Sequence, residues 1–144
     1  MEELLVYALL SAVGMEEEER YFECLHTLFL TSPEAPVLLE LEWERDLREA
    51  VKTMLKMEEP IYDKPSFGKR LMNRVELHYR VCNTVMELKE FGERCYQLWG
   101  ILPGSLAEGT FNPLNYAQDS LSYGDESQCR EIFEQMFHAY DSAD

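Results

Sequence analysis

The chain has 144 residues, 46% of them hydrophobic and 12% aromatic, which excludes a disordered polymer and fits a single domain over residues 1–144 that builds its core without disulfides or metals. Its formal net charge of -15 repels phosphate backbones and anionic lipid. That argues against nucleic-acid and membrane partners and for a basic protein partner.

The first apolar run, Leu4 to Leu10, is flanked by Glu2 and Glu3 rather than by bases. It therefore reads as a buried helix over residues 2–13 and not as a secretory leader, with a cytoplasmic location expected. Being apolar nearly all round, this helix is also a candidate interface for a homodimer. Gly14 should end it. A second helix is expected from Met15 to Thr31, with Glu16 to Glu19 in its first turn opposing the macrodipole and Tyr21, Phe22, Leu25, Leu28 and Phe29 as its stripe.

Ser32-Pro33-Glu34-Ala35-Pro36 breaks the chain. Residues 39–44 then alternate apolar and acidic, a strand signal, yet Leu39, Trp43, Leu47, Val51 and Leu55 recur every four residues. The latter favours one helix continuing to Met57 with those five side chains inward. After a linker at 60–65, Ser66 is a plausible N-cap for a long helix from Phe67 toward Trp99, with Leu71, Val75, His78 or Tyr79, Cys82, Val85 or Met86, Cys95 and Trp99 inward. Gly68 and Gly92 are its weak points, and Gly92, costing about 1 kcal/mol against alanine, is where it would kink or split.

From Gly100 to Gly124, turn signals at Leu102-Pro103-Gly104, Glu108-Gly109 and Asn112-Pro113 predict an irregular segment. It is either a binding loop or a wrapping segment pinned by Leu106, Phe111, Leu114, Tyr116 and Leu121. A last helix should begin near Asp125, where Asp125 and Gln128 have capping-box spacing, and present Ile132, Phe133, Met136, Phe137 and Tyr140. The expected fold is all-α, an irregular bundle of about five helices.

Chemical motifs are sparse. Cys24, Cys82, Cys95 and Cys129 are dispersed among apolar residues and read as buried thiols of a reducing compartment. Glu23-x-x-His26 has the spacing of a metal-ligand pair, but di-iron carboxylate bundles need two such motifs. His26, His78 and His138 share no ligand spacing, and no nucleophile motif or phosphate loop is present, so no cofactor is expected. An alternative reading takes Glu16, Glu19, Glu87 and Glu90 as a carboxylate cluster for Mg²⁺, similar in general arrangement to all-helical nucleotide pyrophosphohydrolases.

Charge is uneven along the chain: residues 1–59 hold 15 acids and 5 bases, residues 60–100 hold 5 and 7, and residues 101–144 hold 8 and 1. Lys64, Lys69, Arg70, Arg74 and Arg80 form the one basic stretch, where Arg70 and Arg74 share a helix face and either pair internally or bind an anionic group. Tyr96, Trp99, Phe111, Tyr116 and Tyr123 gather aromatic surface near the irregular segment, as interface anchors do. With no catalytic motif, the composite expectation is a non-enzymatic acidic interaction module, such as an inhibitor, immunity-type protein, chaperone or adaptor, that docks on a basic protein surface.

Overall fold

The computed structural model describes residues 1–57 and 59–142. It is all-helical, with no β-strand among the described residues, and no described helix is long and apolar enough to cross a membrane. The chain forms two compact units, Met1–Arg70 and Leu71–Asp144.

In the first unit, α1 (Glu2–Ala12) buries Leu4, Leu5, Val6, Ala8, Leu9 and Leu10 and packs against α2 (Glu18–Thr31) and α4 (Leu47–Leu55). Each buried leucine contributes about 1.5–3 kcal/mol. The apolar surface suggested as a homodimer interface is thus used inside the chain, because a helix greasy on every side is stable only when enclosed. Gly14 closes α1 at φ 79°, a conformation open to glycine, and the Met15 N–H reaches back to the Leu10 carbonyl at 2.9 Å in the manner of a Schellman turn. Helix α2 starts three residues later than expected, at Glu18, with Glu18 and Glu19 in its first turn. Tyr21 and Leu25 form its buried centre, while Phe22, Leu28 and Phe29 lie at the margin.

The helix expected from residue 36 to 57 is two helices, α3 (Pro36–Trp43) and α4. Asp46 caps α4 by accepting the Arg48 N–H at 3.0 Å, and Glu44 and Asp46 have extended backbones. The reason is angular. Leu38 and Leu41 are the buried residues of α3, and Leu47, Ala50, Val51 and Met54 those of α4. At about 100° per residue these sets would sit roughly 160° apart on one straight helix, so only a break lets both reach the interior. Leu39 and Trp43, expected inside, are exposed.

Helix α5 (Pro65–Arg80) begins one residue before Ser66. Ser66 does not cap it; its hydroxyl donates to the Glu2 carboxylate, with oxygens 2.7 and 2.8 Å away. The long helix expected to run to Trp99 is broken between Arg80 and Val85, where α6 (Val85–Ile101) starts. Thr84 makes the break. Its hydroxyl accepts the Glu87 N–H at 3.1 Å and donates to the Glu87 carboxylate at 3.0 Å, a threonine–glutamate cap in the Thr-x-x-Glu spacing.

Within the second unit, Tyr79, Phe91, Phe133 and Phe137 pack with ring centroids 5.0–6.4 Å apart. Val85 and Met86, expected inward, are exposed, whereas Leu88, Phe91, Cys95 and Leu98 fill the inner face of α6. Gly92 is no weak point. It lies buried in mid-helix, where a Cβ would stand 2.7 Å from that of Gln118, so its lack of a side chain permits close passage of the 3-10 turn Ala117–Tyr123.

The irregular segment resolves into short turns: the one-turn helix α7 (Gly104–Ala107) and 3-10 turns at Asn112–Asn115 and Ala117–Tyr123. Phe111, Leu114 and Ala117 are buried, so this is a wrapping segment and not a free loop. Helix α8 (Glu126–Ser142) follows, capped as expected by the Asp125 carboxylate, which accepts the Gln128 N–H at 2.9 Å.

Candidate functional site

A groove of about 670 Å³ runs along α1 and α2 in the first unit, lined by Glu3, Tyr7, Glu17, Glu19, Arg20, Glu23, Cys24, Thr27 and Leu28. Helical spacing builds it. Glu3 and Tyr7 are one turn apart on α1, with the Tyr7 hydroxyl donating to Glu3 at 3.3 Å, and Glu19, Glu23 and Thr27 follow at four-residue steps on α2. Four carboxylates thus face one guanidinium. The excess of exposed acids over bases makes the groove net negative, which favours cationic groups. Cys24 at its floor is half-buried; burial first, then the charge of Glu3, pushes its thiol pKa up.

A second acidic surface lies on α3. Glu40 and Glu42 are exposed and Glu44 half-exposed, and between them Trp43 stands 82% and Leu39 46% accessible. Beneath this end, Tyr21 is fully buried. Its phenol is pushed up to about 12, by burial first and then by Glu44, Cys24 and Glu42. Among the described residues its hydroxyl has no hydrogen-bond partner.

The sequence-predicted residues fare unevenly. Phe111 is fully buried and packs edge-on against Tyr140 with centroids 5.9 Å apart, so it serves the core and offers nothing to a partner. Trp99 is half-covered and donates its indole N–H to the Ala107 carbonyl at 2.8 Å, anchoring α7. Tyr96, Tyr116 and Tyr123 are exposed; Tyr116 borders a groove of about 350 Å³ with Pro113, Ile132 and Met136. Arg70 lies 3.7 Å from Glu2, and Arg74 is half-buried. Arg80 pairs with Glu76 at 2.9 Å, within its own helix.

Of the suggested metal ligands, Glu16 and Glu19 belong to the first unit and Glu87 and Glu90 to the second. Glu87 is engaged in capping α6. No group of three or more His, Cys, Asp or Glu side chains is placed to hold a metal ion among the described residues. Glu23 and His26 both lie exposed on α2, beside Glu18, Glu19 and Phe22 in a shallow depression.

Sequence reasoning missed Glu3, Glu17 and Glu23 as members of one groove, and it placed Trp43 and Leu39 in the core. A signal existed for each: Glu19 and Glu23 at four-residue spacing on a helix that a glycine turn folds back toward the acidic start of the preceding one, and a tryptophan flanked by glutamate on both sides. No protein-family model matches the sequence, and neither a curated protein nor a solved structure is detectably similar to it.

Proposed function

We propose that this chain is a non-enzymatic acidic interaction module that docks on a basic protein surface. The observation that carries the reading is the groove of the first unit, where Glu3, Glu17, Glu19 and Glu23 surround a single arginine, Arg20. A concave site with this balance attracts lysine- and arginine-bearing partners and speeds their association. The dispersed histidines and the absence of a nucleophile motif in the sequence fit recognition better than catalysis.

The test is affinity capture from native lysate at about 0.1 M and 1 M salt, between which the screening length falls from about 10 to 3 Å. Captured proteins should be basic, should leave at high salt, and should be lost with the triple variant Glu17→Lys, Glu19→Lys, Glu23→Lys. Capture indifferent to both salt and charge reversal would refute the reading.

A further inference from the structure

Among the described residues Trp43 is the most exposed large apolar side chain, at 82%; Leu39, one turn earlier on α3, is 46% exposed, and Leu30 in the last turn of α2 is 68% exposed. Helix α3 packs on α2, and four-residue spacing puts Leu39 and Trp43 on one outward face. A tryptophan offers roughly 200 Å² of contact surface and is the residue type most enriched at binding hot spots. Nothing in the folding of the unit requires this exposure at Trp43, since Leu38 and Leu41 already supply the buried side of α3.

What would cover such a face is set by its rim. Glu40 and Glu42 are exposed and Glu44 is half-exposed around it, while Arg45, the adjacent base, has its guanidinium 5.6 Å from the centre of the Phe22 ring. The raised phenol of Tyr21 responds to the charges of Glu44 and Glu42, so the negative field extends to the base of the helix. A second copy would bring this acidic rim against itself, and anionic lipid would be repelled likewise. A helix carrying leucines on one side and lysines or arginines along its margins satisfies both the apolar centre and the acidic rim.

We propose that the Leu39–Trp43 face of α3 is the docking site for a basic amphipathic helix of the partner protein. This deepens the interaction-module reading and rests on it. Trp43 would fill an apolar pocket between the partner's leucines, with Glu40, Glu42 and Glu44 pairing with the flanking cations.

The experiment uses the full chain and an 18-residue lysine–leucine peptide with helical amphipathic spacing, against a scrambled peptide of identical composition, read by calorimetry and tryptophan emission at about 0.1 M salt. The patterned peptide should bind at least tenfold tighter than the scrambled one and shift the emission to the blue, and Trp43→Phe should abolish the shift. Leu39→Asp makes the chain more acidic, so attraction by charge alone would strengthen; an apolar docking face instead predicts at least a tenfold weakening. Met86→Asp, at an exposed apolar site on α6, serves as the control and should not weaken binding. Equal binding of both peptides, lost only with Glu17→Lys, Glu19→Lys and Glu23→Lys, would overturn the α3 site while leaving the acidic module standing. Binding of neither peptide would overturn both.

Discussion

Substitution of Gly92 by alanine sets two effects of known sign against each other. In an open helix the change gains about 1 kcal/mol in helix propensity. Here the new methyl would lie 2.7 Å from the Gln118 Cβ and 3.7 Å from its Cα, against a backbone-proximal atom that no rotamer change can move. Overpacking of this kind costs about 1–3 kcal/mol, so the net expectation is a loss of about 0–2 kcal/mol. Gly92→Val, with a larger clash and a smaller propensity gain, should lose more. Pairing Gly92→Ala with Gln118→Gly removes the opposing Cβ and should restore part of the loss as a positive coupling in a double-mutant cycle. Urea denaturation of the four proteins gives the cycle directly. If Gly92→Ala is stabilised by the full 1 kcal/mol and shows no coupling to Gln118, the close crossing of α6 by the 117–123 turn is refuted.

Thr84→Ala should cost about 1 kcal/mol, the usual value of an N-cap, measured by denaturant midpoint; Thr84→Ser should retain most of it. Arg130 donates to the Cys82 carbonyl at 3.0 Å and to Glu126 at 3.1 Å, with its guanidinium 5.9 Å from the Tyr79 ring centre, so Arg130→Met strands a part-buried acceptor and should cost about 1–3 kcal/mol in chemical denaturation. Tyr21 has a phenol raised from 10.0 to about 12; the folded state holds the proton that the unfolded chain releases, so stability should fall as pH rises from 10 to 12. Tyr21→Phe should flatten that fall and leave stability at neutral pH unchanged or improved, since the hydroxyl forms no hydrogen bond among the described residues; thermal melts across that pH range decide it. Burial holds the Cys95 thiol well above its ordinary range and pushes Cys129 up to about 11. A thiol reagent at pH 8 should therefore modify both only as fast as the second unit opens, while Cys24 reacts in the folded chain.

The helical class was legible because apolar residues recur at three and four positions in α1, α2 and α8, where burial follows the expected faces. The breaks were not, since each is written in a single polar residue whose significance depends on tertiary placement. Asp46 and Thr84 both sit between helix-forming stretches, and only the need to aim neighbouring segments at different parts of a core turns them into caps. Thr84-Val85-Met86-Glu87 did carry a local signature, the capping-box spacing, outweighed by the apparent continuity of Tyr79, Cys82 and Val85. Gly92 illustrates the converse: propensity marks a glycine as a defect, and packing makes it a requirement. For the site, net acidity was legible from composition, but the grouping of Glu3 with Glu17, Glu19 and Glu23 depends on the path of α1 past α2.

The break at residues 44–46 links the core to the surface. A continuous helix with the Leu39–Trp43 stripe inward would turn Leu38 and Leu41 outward; the chain instead buries the pair that lets α4 deliver Leu47, Ala50, Val51 and Met54. Leaving most of Trp43 and nearly half of Leu39 in water forgoes about 1.5–3 kcal/mol for the tryptophan and roughly half as much for the leucine, a substantial share of the about 5–15 kcal/mol by which domains are stable. On the proposed docking at this face, that unrealised burial is what a partner would gain, and the acids around it would favour a basic one. In such a complex, long-range charge attraction would govern how fast the encounter forms, and the tryptophan contact how long it lasts. Salt and Leu39→Asp should accordingly act on different rate constants, salt on association and the substitution on dissociation.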